Sequence, residues 1–576
     1  MINKWNYLTL TSDQTAQKES LAKELGIGPI LAHLLLQRGI QNFDQAKQFF
    51  RPQLSDLHDP FLMNDMDKAV ARLNAALQKK EHILIYGDYD VDGTSAVALV
   101  YKFLQQFTSN ISYYIPDRYG EGYGISHKSI DFAAENGYKL IIALDCGIKA
   151  IEKIDYAKTK DIDFIICDHH VPDDKLPDAI AVLDAKRIDS TYPYDQLSGC
   201  GVGFKFMQAF AQNNNIKFSD LTPLLDLVAV SIASDIVPIT GENRILAHFG
   251  LIQLNSNPSV GLKAIIETCG LIGKDITISD IVFKIGPRLN ASGRIETGNE
   301  SVELMTTNDP VIARRKSDEI NQYNQTRKDL DKNITEEANA ALQACTNLSD
   351  RKGIVVYNEE WHKGVIGIVA SRLTEEYYRP AIVLTRTDDM ATGSARSVPG
   401  FDIYKAIDHC RDLLENFGGH TYAAGLSMKV EKVLEFTKRF EDYVAKNILP
   451  EQMIPTINID AELSFKDITP KFVRQLKLFS PFGPDNAKPT FCTKNVCDYG
   501  TSRLFGREMN HLKLELIDKD SQNIMNGIAF SQQKHINYVK SKNAFNIAYS
   551  VEVNNYNGGN YTQLLIKDIK TEGNKQ

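Results

Sequence analysis

The chain has 576 residues, 43% of them hydrophobic and 24% charged, with a net charge of −8. That length exceeds what one core serves and implies three or four domains. No apolar run approaches the roughly 18 residues of a membrane span, and the opening MINKWNYLTLTSD lacks the apolar centre of a signal peptide, so the expectation is a protein without membrane contact. The eight cysteines are scattered with no CxxC pair, which fits a reduced, cytoplasmic chain. Cys492 and Cys497 lack a partnering Cys or His pair, so no zinc site is expected. Net charge does not decide for or against nucleic acid, because steering depends on where the charge lies.

In chain order, residues 1–60 read as short helices and turns forming a cap on the main domain. MDKAVARLNAALQKK is an amphipathic helix, and from there to about Lys186 apolar strands alternate with helices. That alternation predicts a parallel sheet with right-handed crossovers. Residues 82–86 form a buried strand, and Asp88, Asp90 and Asp92 follow at alternate positions in a Gly-bounded loop. The next helix starts near Thr94, with Thr94 or Ser95 as N-cap. Arg118 lies just past the strand that begins at Ser112. Three more strands end in chemistry: KLIIAL delivers Asp145, DFIIC delivers Asp168, His169 and His170, and AIAVL delivers Asp184. Loops at the carboxyl ends of such strands are where α/β sheets bind ligands. Carboxylates converging there repel one another unless a cation neutralises them, and histidine is the commonest side-chain ligand for transition metals. Asp88, Asp90, Asp92, Asp145, His169 and His170 therefore read as a metal site.

A buried helix over residues 221–236 carries Asp235 near its end, where an unpaired carboxylate is costly. GPRLNASGRI (residues 286–295) reads as an irregular loop on which Arg288 and Arg294 flank Asn290, suited to phosphate. Residues 310–344 form one long polar helix, the strut between two lobes. Beyond it a second α/β pattern begins, with Ser394 and Arg396 in a turn after a strand. Gly418, Gly419 and His420 make a turn whose backbone N–H groups can approach a phosphate. After Pro450 short alternating strands predict a small β-barrel, best read as an OB fold that binds single strands. Phe491, Tyr499, Tyr549, Tyr556 and Tyr561 are candidates either for stacking on bases or for its core.

GDYDVDG, LDCG, CDHH and SIASDIVP, taken together, resemble the four motifs of the DHH phosphoesterases. GPRLNASGRI and the barrel after the GGH segment resemble the RecJ-type branch, single-strand-specific 5′→3′ DNA exonucleases acting in recombination and repair. The resemblance implies a DHH domain over residues 61–305, a connecting helix over 306–345, a DHHA1 substrate-binding domain over 346–447 and the OB domain over 448–570. It also implies two divalent cations, Mn²⁺ or Mg²⁺: one on Asp88, Asp90 and Asp145, the other on Asp92, Asp145, His169 and Asp235. His170 would then contact the scissile phosphate, and Arg118, Ser394, Arg396 and the GGH segment the strand. Implied partners are single-stranded DNA, a single-strand-binding protein and a RecQ-type helicase, around a monomeric enzyme. The first motif departs by carrying Tyr86 where other members have histidine, so Asp88 takes that ligand's place. The competing readings are a phosphodiesterase for short oligonucleotides or cyclic dinucleotides, and an inactive DNA-binding member of the fold.

Overall fold

A computed structural model describes residues 3–345, 348–556 and 559–571. The chain divides into two compact units. The larger comprises His58–Val237 and Gly241–Pro455. The other is assembled from Met1–Leu57, Pro238–Thr240 and Thr456–Gln576. Among the described residues no helix is long and apolar enough to cross a membrane.

The first lobe of the larger unit is built on five parallel strands, ordered Ile111–Tyr114, His82–Gly87, Tyr138–Leu144, Asp163–Cys167, Ala181–Leu183. Ile83, Leu84, Ile85, Ile141, Ile142, Ile165 and Ile166 are fully buried, as expected of strands covered on both faces. In chain order the arrangement is 2-1-3-4-5, and such sheets bind ligands where the winding reverses, between the first and third strands. Here those strands end at Gly87 and Leu144, immediately before Asp88 and Asp145.

The strand-to-helix turn is tighter than the residue pattern indicated. The helix is Val91–Leu104, three residues earlier than Thr94, because the Asp90 carboxylate caps it by accepting the Gly93 N–H at 3.0 Å. Asp92 therefore sits on the first helical turn, not in the loop. GPRLNASGRI is likewise helical, Gly286–Ile295, following a π-turn over Ile281–Ile285. Pro287 sits where the π-turn gives way to the α-helix. Gly293 answers a close approach: a Cβ there would stand 2.6 Å from the Tyr89 carbonyl oxygen.

The polar helix expected after residue 309 is Pro310–Gln343, 34 residues and about 50 Å long. Its buried Asp331 receives a bidentate pair from Arg372, at 2.6 Å for both nitrogens, which ties it to the second lobe. That lobe is a sheet ordered Asn416–His420, Ala423–Lys429, Met390–Arg396, Ala381–Thr387, Ile354–Tyr357. Ser394 and Arg396 thus lie on a strand, and so do Gly418, Gly419 and His420. Small residues are poor strand formers alone, and pairing on neighbouring strands overrides that preference here.

In the second unit, Phe491–Asp498, His511–Asp518, Ile524–Ala529, Gly559–Thr571 and Phe545–Tyr556 close into a five-stranded barrel of OB connectivity. Phe491 and Tyr549 belong to its core; Tyr499 and Tyr561 are exposed; the side chain of Tyr556 lies outside the described residues. The N-terminal helices are not a cap on the first lobe. Leu31, Leu34 and Leu35 share one core with Phe479, Phe491, Leu512 and Tyr549 of the barrel. TINIDAEL is no barrel stave along its first half: Thr456–Ile459 pairs in parallel with Lys4–Tyr7, a strand the residue pattern did not indicate.

Lys205, fully buried on the Gly199–Asn213 helix, is paired with Glu242 at 3.0 Å. The same carboxylate accepts from the His58 N–H and the Tyr192 hydroxyl. Breaking a buried pair leaves an uncompensated charge. Glu242→Ala should therefore cost about 3–5 kcal/mol, whereas the double change Lys205→Met/Glu242→Leu should recover most of it. The midpoint of urea unfolding for the single and double variants checks this.

Candidate active site

Four of the candidate residues converge on one point. His169 Nε2 lies 3.2 Å from Asp145 Oδ1, 3.6 Å from Asp235 Oδ2 and 3.8 Å from Asp92 Oδ2. Asp145 and His169 follow the central strands directly, Asp92 rides the first turn of its helix, and Asp235 caps the Leu225–Ser234 helix. Two groups have ligand atoms within 4.8 Å of one another: Asp92, His169 and Asp235, and Asp145, His169 and His170. The first, with Asp145 beside it, brings together the four residues that the resemblance assigns to the second cation. Asp88 and Asp90 enter neither group, and Asp90 Oδ1 is engaged as the helix cap.

The electrostatics call for positive charge. Burial, then the neighbouring Asp92, Asp90 and Asp235, hold the Asp145 carboxyl well above the usual range. Burial, followed by Asp92 and Asp90, lifts Asp235 to about 8, and burial with Asp90 raises Asp88. Among the described residues Asp88 Oδ1 and His169 Nδ1 have no hydrogen-bond partner, and Asp145 Oδ1 has none beyond its approach to His169. Hard carboxylate oxygens with one imidazole are a donor set that Mn²⁺ accepts well and Mg²⁺ tolerates. The residues present fit such ions.

His170 is set differently. Its Nδ1 lies 2.7 Å from Asp168 Oδ1, and Asp168 also accepts N–H groups from Ile148 and His169. Burial opposes charge on both partners, but their mutual bond wins and holds Asp168 at about 2 and His170 at about 9. That leaves His170 Nε2 free to face outward, 3.2 Å from the Tyr123 hydroxyl. Tyr86, at the departing position, is buried and donates to the Gly124 carbonyl at 2.7 Å, away from the carboxylates.

Several participants left no side-chain signal. Asp92 accepts the Gly199 and Cys200 backbone N–H groups at 2.7 and 2.8 Å and the Ser231 hydroxyl at 2.6 Å. The positive end of a helix thus orients this carboxylate. The SGCGVG run that begins at Ser198 is the trace it leaves in the sequence, because the close approach needs glycine: a Cβ on Gly199 would stand 2.5 Å from Asp145 Oδ1. Asp145 itself is left-handed, with φ 59°, a strain seen where function demands a geometry.

The predicted arginines form a second cluster. Arg118 stacks over the Tyr89 ring at 4.7 Å. Burial, with the guanidinium groups of Arg118, Arg327 and Arg396 facing it, brings Arg294 down to about 9. Arg327, from the long helix, was not anticipated. Arg294 Nη1 donates to the Gly364 carbonyl at 3.0 Å, while the Tyr119 hydroxyl caps the Arg294 carbonyl, so first-lobe and second-lobe residues meet here. Arg396 Nη1 donates to Ser394 Oγ at 3.0 Å. Arg288 instead turns to Asn321 and the Lys284 carbonyl, and Asn290 leaves its buried Oδ1 without a partner. Gly418 and His420 lie in sheet register with Ser394 and Arg396, across the Ala423–Lys429 strand.

Comparison with known proteins gives this arrangement its family. Residues 82–232 match the model of the DHH family, N-terminal domain, residues 350–446 that of the DHHA1 domain, and residues 459–568 that of the RecJ OB domain. The single-stranded-DNA-specific exonuclease RecJ of Bacillus subtilis is 34% identical over 553 residues, spanning 96% of this chain and 69% of that protein. Its namesake from Haemophilus influenzae is 32% identical, over 94% of this chain and 96% of that one. The chain belongs to the RecJ family. The crystal structure of Thermus thermophilus RecJ with Mn²⁺ superposes with a TM-score of 0.84 at 25% identity, covering 99% of this chain and 79% of the other. The RecJ fold of two α/β lobes, a joining helix and an OB barrel is the fold expected from the sequence.

Gly199→Ala tests how the site is held. The added methyl must push Asp145 aside and loosen the amides on Asp92. Mn²⁺ affinity, measured by calorimetry, should fall about 10–100-fold with little change in melting temperature.

Proposed function

We propose that this chain removes nucleotides from the 5′ end of single-stranded DNA, with the arginine cluster as the pocket that selects the end. It is a single-strand-specific exonuclease, a phosphodiester hydrolase that uses divalent manganese or magnesium. The observation that carries the reading is the pairing, within one compact unit, of an acid–histidine cluster short of positive charge with an arginine cluster short of negative charge.

Two bound cations, held by Asp88, Asp90, Asp92, Asp145, His169 and Asp235, would supply a water-derived nucleophile and offset charge on the phosphoryl oxygens. The protein's own groups do the rest. By resemblance Asp145 would serve both cations, and its Oδ1 lies 3.2 Å from His169 Nε2. His170, kept protonated by Asp168, presents Nε2 as a charged donor to a non-bridging oxygen of the scissile phosphate. Arg118, Arg396 and Ser394 take a terminal phosphate, because guanidinium forks match its oxygens bidentately. A terminal phosphate anchored there fixes which phosphodiester reaches the acids, and so sets both exonucleolytic action and polarity. By resemblance, the setting is recombination and repair in the cytoplasm, alongside a single-strand-binding protein and a RecQ-type helicase, with a monomeric enzyme.

Degradation of strands labelled at either end, with and without Mn²⁺, tests the activity and its direction. Digestion from the 3′ end would overturn the polarity. Asp145→Ala should lower the single-turnover rate more than about hundredfold, since losing a shared carboxylate disturbs both cation positions. Arg396→Ala should selectively weaken cleavage of 5′-phosphorylated strands, by about 10–100-fold given the worth of hydrogen bonds to charged groups. Equal losses on 5′-hydroxyl strands would assign Arg396 to internal phosphates instead.

A further inference from the structure

Arg118 is braced along its backbone but not at its tip. The Glu121 carboxylate accepts the Asp117 N–H at 3.0 Å, the Tyr114 hydroxyl at 3.0 Å and the Ser126 hydroxyl at 2.6 Å. Asp117 in turn accepts the Tyr119 N–H at 3.0 Å. These bonds hold the chain on both sides of Arg118. Among the described residues no hydrogen bond or ion pair reaches its guanidinium, which lies over the Tyr89 ring at 4.7 Å from the centroid. Arg294 and Arg396 face it with like charge, so their repulsion favours its withdrawal into solvent, and the ring opposes that. A free arginine side chain also loses much rotamer freedom when it grips an anion, and stacking on a fixed ring removes part of that loss beforehand.

Tyr89 is itself firmly placed. It stands between Asp88 and Asp90, in the turn that links His82–Gly87 to the Val91–Leu104 helix. Two glycines let neighbouring backbone close on it. A Cβ on Gly293 would stand 2.6 Å from the Tyr89 carbonyl oxygen, and one on Gly298 would stand 3.2 Å from its Cα. Tyr123 packs T-shaped against the ring, with centroids 6.3 Å apart, and the Tyr123 hydroxyl lies 3.2 Å from His170 Nε2. Tyr89 makes these contacts through its ring, and among the described residues its hydroxyl has no hydrogen-bond partner. The aromatic face, not the hydroxyl, is what this position supplies.

We infer that Tyr89 is a positioning residue for end recognition: its ring holds Arg118 toward the terminal phosphate, and its place between Asp88 and Asp90 ties that arginine to the acid cluster. The inference rests on the reading of the arginine cluster as the 5′-end pocket, and adds what sets the pocket's distance from the hydrolytic site. A residue of the acidic turn that holds no cation thereby fixes how far the terminal phosphate sits from the carboxylates on either side of it.

The test is steady-state hydrolysis of matched 5′-phosphorylated and 5′-hydroxyl oligonucleotides by the full-length protein with Mn²⁺. Tyr89→Leu should lower the ratio of kcat/KM between the two strands roughly 3–30-fold, the worth of a cation–π contact. The loss should lie in KM for the phosphorylated strand, because the terminal phosphate is gripped alike before and during hydrolysis. Tyr89→Phe, which keeps the ring, should retain the ratio. In an Arg118→Ala background Tyr89→Leu should lower the ratio no further, since the two side chains act as one unit. An unchanged ratio in Tyr89→Leu would overturn the inference, even if kcat fell on both strands alike, because that is the signature of damage to Asp88 and Asp90. So would a loss in Tyr89→Phe equal to that in Tyr89→Leu, or losses that simply add to those of Arg118→Ala. Failure of the end-pocket reading shows separately, as a ratio that Arg118→Ala and Arg396→Ala both leave at the wild-type value, and the inference then falls with it.

Discussion

Mutual repulsion among carboxylates gathered out of water is the constraint around which the larger unit is arranged. Asp88, Asp92 and Asp145 are all but inaccessible, and Asp235 and Asp90 stand close enough to raise their neighbours' proton affinity. No hydrophobic packing gain accounts for such a cluster; it persists because cations belong there and because the scaffold pre-aims each oxygen. The scaffolding is specific. The sheet reverses its winding beside Asp88 and Asp145, and a helix terminus turns two amides on Asp92. Ile236, next to Asp235, adopts φ 59°, an uncommon posture for a β-branched residue. Strain stored at Asp145 and beside Asp235 marks where geometry outweighed local preference.

The readable part of the sequence was the part in which one residue's chemistry speaks for itself. Buried β-branched runs announce parallel strands, and Asp or His at their ends announces a polar rim, so Asp88, Asp90, Asp92, Asp145, His169 and His170 could be picked out, and Asp235 from the cost of an unpaired carboxylate on a buried helix. Backbone donors are not: nothing in the letters Gly199 and Cys200 says that their N–H groups orient Asp92. Glycine misled at Gly286 and Gly293, where it was read as a helix breaker. Its purpose there is room for a neighbour, and only the neighbour's position reveals that. Arg327 looked like one more solvated charge on a polar helix until the fold turned it toward Arg294.

The arginine cluster and the acid cluster are complementary in a further respect. One draws residues from both lobes, since Arg118 and Arg294 come from the first, Arg396 from the second and Arg327 from the helix between them. The other is drawn entirely from the first. The two clusters are therefore separable in construction: the acid cluster requires only the first lobe's internal order, while the arginine cluster requires both lobes and their joining helix.

The discontinuity of the smaller unit bears on how the protein is made. Its leading helices present Leu31, Leu34, Leu35 and Leu36 to a core whose other half begins at Thr456. About 400 residues of catalytic unit intervene. At roughly 5–20 residues per second of synthesis, that apolar face waits on the order of 20–80 s for its counterpart. That earlier-made segment thus reaches its native environment late, and the nascent chain carries an unsatisfied leucine surface throughout production of its enzymatic half.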